Sequence, residues 1–409
     1  MSYQYDFTKT SKKVIANLEN LFDTLDITKS EFESALSLPH DQKYKSFIIP
    51  KSNGSDRIVY SPHKDIRRIQ RRINRRIFNS KKNDCNGLIS WPSYLYGSIP
   101  NIINDNSTID HSIVTDVSKD YIACAKNHCG ARSIMKMDIN NFFDNIHQDQ
   151  VFNIFNKLLK FPKDVSEALT SICCFKGSIV QGALTSSYIA SAVMFDIEAM
   201  TVKRLHKKKL VYTRLVDDIT VSSKEINYDY SFAKKVIIDM LTFLELPVNN
   251  SKTTLLYSST SELLVHGLRV NYEEPRLPST EVSRIRASVK NLEKLAEDGV
   301  YRISRDYRKS FNRCLGRVNK LGRLGHKQHS LLLERVNKIQ PLPSKNDIKR
   351  ALKFIEKIEG WYPAHQDDYW YRKCFNRAHS ELNILQRTFC NTAKSLRTRL
   401  RFVSPPNEE

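Results

Sequence analysis

The sequence predicts an α+β fold, a compact sheet with helices on one face, and three observations carry that prediction. Residues 133 to 258 run in the order β-α-β-β-α-β, short apolar strands alternating with stretches of helical periodicity. A β-hairpin pattern precedes them at residues 44 to 62. From about residue 279 to the end the pattern is helical and basic.

Taken in order, residues 8 to 38 read as one or two amphipathic helices, with "LENLFDTLDI" supplying the apolar stripe. "YKSFIIPKSNGSDRIVYSP" reads as two strands around a Ser-Asn-Gly-Ser turn, the second ended by Pro62. In "KDIRRIQRRINRRIF" the isoleucines at 66, 69, 73 and 77 keep helical spacing while arginines cover the other faces. Six arginines within ten residues repel one another unless a polyanion lies near, which singles out Arg71, Arg72 and Arg75 as nucleic-acid contacts. A solvated helix face is the plain alternative. "SIMKMDINNFFDNI" begins as a strand at Ser133 and turns into a polar, aromatic loop. Helices follow at about 148 to 160 and 164 to 175, then the loop "GSIVQGALTSS", then one long apolar helix, "YIASAVMFDIEAMTVKRL". A strand pair around Asp217 and Asp218, a helix near 229 to 245, and strands in "NNSKTTLLYS" and "ELLVHGLRVN" complete the sheet.

The 409 residues suffice for two or three domains, and 40% hydrophobic content supports buried cores. Lys and Arg number 65 against 44 Asp and Glu, a formal charge of +21. From Glu281 to Glu409 there are 28 basic and 14 acidic residues, so +14 of that charge lies in the last third. Such an excess suits a polyanion, and its concentration favours nucleic acid over an acidic membrane surface. No apolar run approaches the roughly 18 to 20 residues that span a bilayer. "MSYQYDFTKTSKK" lacks the apolar core of a signal peptide, so a cytoplasmic location is expected. "CAKNHC" (Cys124, His128, Cys129) has the composition of half a zinc site, with no second half following it.

"YTRLVDDITVSS" carries the sharpest chemical signal. Asp217 and Asp218 stand side by side among strand formers, where each disfavours the charge of the other. A tight hairpin with acidic residues at its tip is one reading. A divalent-cation site is the other, since a cation relieves the repulsion. Asp138 ends a strand 79 residues before Asp217, and in a split β-α-β sheet those two places lie on neighbouring strands. Three converging carboxylates suit Mg²⁺, and two such ions clamp the oxygens of an in-line phosphoryl displacement.

These stretches resemble the motifs of reverse transcriptases, specifically the bacterial group that includes retron and group II intron enzymes. "MDINNFFDNI" resembles their first catalytic motif, "QGALTSS" their Gln-Gly-x-Pro-Thr-Ser-Pro loop, and "YTRLVDDITVS" their Tyr-Thr-Arg-Tyr-Ala-Asp-Asp-Ile-Thr-Phe-Ser strand pair. "NNSKT" matches an Asn-x-x-Lys element, "VHGLRVN" resembles a Val-Thr-Gly-Leu segment, and "IPKSNGSDRIVYSP" is similar to the fingers hairpin. The resemblance covers about residues 44 to 271. It implies a right-hand polymerase with a ferredoxin-like palm. The expected divisions are N-terminal helices and fingers over 1–132, palm over 133–278 with 148–182 contributing to the fingers, a helical thumb over 279–355, and a basic, aromatic extension over 356–409.

The resemblance also implies roles. Asp138 and Asp217 hold metal with the Ile139 carbonyl, and Asp218 supports them. Phe143 is the bulky gate beneath the sugar that excludes a ribose 2′-hydroxyl; an ordinary core Phe is the alternative. Gln181 and Gly182 let the backbone approach nucleotide and template, which glycine permits without strain, and Ser186 caps the next helix. Lys51 and Arg57 hold the triphosphate. Lys252 is placed to give a proton to departing pyrophosphate. On the basic helix beyond, Arg317, Lys320 and Arg323 recur every three or four residues and can track phosphates. In the extension, "WYPAHQDDYWYRK" and "SLRTRLRF" interleave aromatic with basic side chains, suited to unpaired bases or, alternatively, to packing against the thumb.

The expected activity is RNA-directed DNA polymerisation from deoxynucleotides with two Mg²⁺ ions, or Mn²⁺ in their place. The expected partners are an RNA template, a dedicated non-coding RNA encoded nearby, its DNA product, and a second defence protein or a second copy, with no membrane. Several departures matter: Leu215 and Val216 replace Tyr-Ala, Leu184 and Ser187 replace two prolines and loosen that loop, "STIDH" (Ser107 to His111) keeps only the His of an Asn-Ala-x-x-His element, and His266 replaces Thr. The chain also runs past the end of a compact retron enzyme. These place it in a related branch, the defence-associated reverse transcriptases that act against phage. A retron enzyme making RNA-linked DNA, a primase or terminal transferase on the same palm, and a catalytically idle RNA-binding relative remain the alternatives.

Overall fold

Five strands form the sheet that this element order requires, and their register decides which side chains meet. In the computed structural model, which describes residues 3–10, 15–50, 54, 56–79, 88–103, 116–366 and 368–406, their order is Thr254–Tyr257, Ser133–Asp138, Asp218–Ser223, Val211–Leu215 and Leu95–Tyr96. Neighbours pair antiparallel except the last strand, which runs parallel to Val211–Leu215. Leu95–Tyr96 thus brings part of the first 132 residues into the palm rather than the fingers. The chain divides into two compact units, Met1–Arg276 and Leu277–Glu409.

Cross-strand partners share a face. Ile219, Val221, Met135, Met137 and Tyr212 point into the main core, where the helices Glu198–Lys207 and Ser231–Phe243 cover them. The second face is covered as well, which corrects the one-sided expectation. There His128 bridges Ser222 Oγ through Nδ1 and Thr213 Oγ1 through Nε2, each at 2.7 Å, behind the short helix Tyr121–Lys126. Burial holds the His128 imidazole neutral, its pKa pushed down to about 3. Both ring nitrogens are occupied by hydroxyls, so "CAKNHC" is a packing element and not half a zinc site.

Arg214 and Glu198 form a buried ion pair, Nε to Oε1 at 2.6 Å and Nη2 to Oε2 at 2.8 Å, with both side chains fully enclosed. The pair explains why the long apolar helix is in fact two, Ser186–Ala192 and Glu198–Lys207. The break exposes the carbonyls of Ala190 and Ser191, which accept from the same guanidinium at 3.3 and 2.9 Å, and it starts the second helix on Glu198. Ser186 makes no cap: Thr185 precedes the helix and neither side chain bonds its backbone.

Ahead of the sheet, Leu18–Leu25 and Lys29–Ser37 are the two N-terminal helices, while Thr8–Lys9 is a strand instead of helix. The hairpin Tyr44–Pro50 and Asp56–Pro62 is as expected. Its join to the palm rests on Gly182, which holds φ at +103°; a Cβ there would meet the Tyr60 carbonyl oxygen at 2.1 Å. Beside it the Tyr60 N–H donates to the Gln181 carbonyl at 2.7 Å. Buried Gln70 donates to Tyr44 Oη (2.8 Å) and the Ile172 carbonyl (2.9 Å), and its Oε1 accepts the Leu184 N–H at 3.0 Å. Asn74 Nδ2 holds the Leu184 carbonyl at 2.7 Å. Leu184 therefore does not loosen the loop: it has the N–H that proline lacks, and Gln70 uses it.

In the second unit, Ser279–Glu297, Arg305–Arg323 and His329–Lys338 pack together around Ile285, Val289, Phe311, Val318 and Leu332. Lys345–Trp361, Tyr369–Leu385 and Cys390–Phe402 form another three-helix core around Ile355, Ile358, Leu382, Leu396 and Leu400. The expected thumb–extension boundary at 355/356 falls inside the helix Lys345–Trp361. Arg308 ties the two groups, pairing with Asp347 at 2.5 Å and Glu381 at 3.4 Å.

Glu198→Gln keeps the shape of the buried pair but leaves the Arg214 charge unbalanced. The expected outcome is a loss of about 3–5 kcal/mol in unfolding free energy, read by denaturant titration of the full chain. A change under about 1 kcal/mol would show that the charge is not what holds these elements together.

Candidate active site

Asp138 ends its strand directly opposite Asp218, which begins the next one. Like charges paired across a ladder destabilise it, so this register has a cost that packing does not explain. Asp217 lies on the two-residue turn before Asp218, and its carbonyl accepts the Ile139 N–H at 3.2 Å. The turn is strained: Val216, a β-branched residue, adopts φ +61°. Arg214 Nη1 holds the Val216 carbonyl at 3.0 Å, and Gly97 leaves room for the Val216 side chain. Burial, reinforced by the charges of Asp138 and Asp218, pushes the Asp217 carboxyl above the usual range, although its own backbone and Lys252 work against this.

Two bases of the chain face these acids. Lys252 Nζ lies 2.8 Å from Asp138 Oδ2, and Asn249 Nδ2 lies 3.2 Å from the same oxygen. The "NNSK" stretch expected to be strand is the 3₁₀ turn Asn250–Lys252, and that turn aims the lysine back at the carboxylate. The hydrogen bond to Asp138 raises the Lys252 pKa, against desolvation and against the charge of Arg57 on the hairpin. On the other side, His266 Nδ1 lies 3.3 Å from Asp218 Oδ2.

As a donor set the three carboxylates suit a hard divalent cation, which takes oxygen ligands. Among the described residues, however, no three acidic, histidine or cysteine side chains are gathered into a ready cage. Asp138 is engaged by Lys252 and Asp218 by His266, so a cation has to compete with the chain's own bases.

The remaining expected residues separate. Phe143 is half-buried, packed on the core and 6.1 Å from the Phe142 ring. Arg57 is exposed on its strand, whereas Lys51 lies outside the described residues, as does "STIDH". Gln181 and Gly182 meet the hairpin backbone, so the glycine is needed for protein contact whatever else approaches it. Arg72 is engaged within the protein: it donates to the Leu25 carbonyl at 2.8 Å and pairs with Asp26, closing the end of a helix. Arg68 likewise pairs with Glu31 at 2.7 Å. Arg71 is half-buried and Arg75 exposed. Arg317 and Arg323 are exposed and Lys320 half-exposed on Arg305–Arg323, as the spacing predicts. The sequence reading missed Arg214, Glu198, Gln70 and Asn249; the Arg within the strand was the available signal, a charge where an apolar residue was due.

Residues 49–288 match the family described as reverse transcriptase (RNA-dependent DNA polymerase). The retron Ec48 reverse transcriptase of Escherichia coli is 43% identical over 401 residues, 97% of this chain and 94% of its own. The retron Se72 reverse transcriptase of Salmonella heidelberg is 31% identical, covering 96% of this chain and 97% of its own. The retron Ec86 enzyme of Escherichia coli is 24% identical over 67% of this chain. An apo telomerase structure from Candida tropicalis overlays 98% of this chain and 74% of its own at a TM-score of 0.41 and 13% identity, too distant to bear on detail. The departures from the motifs and the long C-terminal tract do not take the chain out of the retron group, since the Ec48 match runs nearly end to end. With the acidic register, the right-hand order of elements and these matches together, the chain belongs to the reverse transcriptase family, in its retron type, and is an RNA-directed DNA polymerase.

Proposed function

We propose that this enzyme extends a primer on a dedicated non-coding RNA in the cytoplasm, using deoxynucleotides and two Mg²⁺ ions, and that it serves antiphage defence. The observation that carries the chemical part is the direct opposition of Asp138 and Asp218, with Asp217 on the adjoining turn. Reverse transcriptases use divalent metal ions, which neutralise and align the oxygens of the reacting phosphate. Asp138, Asp217 and the Ile139 carbonyl supply the oxygen ligands, with Asp218 in support. Lys252, exposed and on a flexible stem, leaves Asp138 and holds a proton toward the departing pyrophosphate. Lys51 and Arg57 hold the triphosphate from the hairpin, Gln181 and Gly182 brace that hairpin, and Phe143 bounds the sugar. The defence role is proposed on family analogy alone. No described helix is long and apolar enough to cross a membrane.

For the extension we propose recognition of unpaired bases in the partner RNA. Trp370 is 62% exposed, with the Lys373 ammonium 4.6 Å from its ring centre. Trp361 carries Lys357 at 4.6 Å, and the two indoles border a cavity of about 500 Å³. Tyr371, by contrast, is a packing residue, fully buried with its hydroxyl on the Val403 carbonyl at 2.6 Å.

Asp138→Asn and Asp217→Asn each keep side-chain volume and remove one charge. Primer extension on RNA is expected to fall about 100- to 1,000-fold, and phage plating on expressing cells to return to the level without the gene. Near-normal extension by either variant would mean the wrong carboxylates were chosen.

Phe143→Ala removes bulk without polarity, so the ratio of deoxy- to ribonucleotide incorporation should drop. A ratio equal to wild type makes Phe143 a core residue only.

Trp370→Ala should weaken binding of the partner RNA about tenfold, in line with about 1–3 kcal/mol for one stacked base, while a generic primer-template binds as before. Equal loss on both, or none, would leave the indole without a role in recognition.

A further inference from the structure

The strands Leu264–Val265 and Leu268–Arg269 are joined by His266 and Gly267, at φ +48° and +77°. A two-residue turn with both φ values positive takes Asn, Asp or Gly at its first position, because a bulky L side chain is strained there. Histidine enters this region more readily than most side chains, so what singles out His266 is what its ring touches. The ring is not in solvent: the His266 side chain is 9% exposed, wedged between Asp218 and Cys124. Its Nε2 lies 3.3 Å from Cys124 Sγ, and its Nδ1 lies 3.3 Å from Asp218 Oδ2. Burial pushes the Cys124 thiol up to about 12, so the sulfur keeps its proton at neutral pH, and Thr213 Oγ1, also 3.3 Å from Sγ, shares that proton with Nε2. The carboxylate at 3.3 Å favours the tautomer with its proton on Nδ1.

The two bases at the site are therefore unequal. Lys252 is 64% exposed and can swing away from Asp138, whereas His266 is enclosed, with Cys124 on one side and Asp218 on the other. We infer that His266 is a positioning residue that draws the Asp218 carboxylate to the hairpin side of the site and keeps it from direct cation ligation, leaving that to Asp138 and Asp217. The inference rests on the reading of Asp138 and Asp217 as cation ligands. Its signature is opposite in binding and turnover. Freed from His266, Asp218 adds its charge to the cation site, which binds metal more tightly but in the wrong arrangement.

The test is His266→Gly in the full chain, a change that relaxes the turn, with the fold checked by circular dichroism and thermal unfolding. Mn²⁺ binding is titrated by electron paramagnetic resonance of the free ion, beside kcat and nucleotide KM. The expected result is Mn²⁺ binding about fivefold tighter and kcat about tenfold lower with KM unchanged. His266→Asn, which also suits the turn, should move both in the same directions, and in an Asp218→Asn background His266→Gly should no longer alter Mn²⁺ affinity. Unchanged or weaker Mn²⁺ binding in His266→Gly overturns the inference while Asp138→Asn still abolishes binding. If Asp138→Asn binds Mn²⁺ like wild type, the ligand reading itself fails and the inference falls with it.

Discussion

Arg214 and Glu198 meet with no solvent around either side chain, and the position of the acidic turn follows from that contact. A guanidinium out of water is tolerated only when its charge is balanced and its N–H groups are used. Here all five are: two go to Glu198 and one each to the carbonyls of Ala190, Ser191 and Val216. One side chain thus sets the end of one helix, the start of the next and the turn that carries Asp217. Moving the turn would uncover a buried donor. The strain at Val216 persists because its surroundings over-determine it.

Around that fixed point the electrostatics are arranged as a contest. Three acids are crowded by register and by a turn, and the crowding shows in the raised Asp217 carboxyl. The chain answers with bases of different mobility, a lysine on an exposed 3₁₀ turn and a histidine enclosed in a hairpin. A cation arriving at Asp138 would displace the lysine at small conformational cost, because a long exposed side chain loses little by moving.

Much of this was legible in the sequence, for stated reasons. The strand pair, the fingers hairpin and the basic helices follow from periodicity, which is local and survives in one dimension. Adjacent Asp217 and Asp218 were legible because like charges among strand formers conflict with local rules. What was not legible depends on partners far apart in sequence. Nothing local in the arginine run says that Arg72 meets Asp26 and the Leu25 carbonyl. Leu184 looked like a loosened loop until Gln70 took its N–H. The broken helix kept its apolar pattern straight through, since the break is imposed by Arg214 and not by any glycine or proline.

The Arg308 contact has a consequence for the modularity of the C-terminal unit. Asp347 both accepts from Ser344 at the start of its helix and balances Arg308, which sits in the preceding helical group. A recombination junction between those partners strands a nearly buried cation on one side and a nearly buried carboxylate without its short-range cation on the other, although the Ser344–Asp347 cap travels intact. Exchange of the terminal helices between related enzymes therefore preserves folding only when arginine and aspartate travel together or already match. The ion pair acts as a compatibility lock, restricting which terminal helices evolution can graft onto which basic helices.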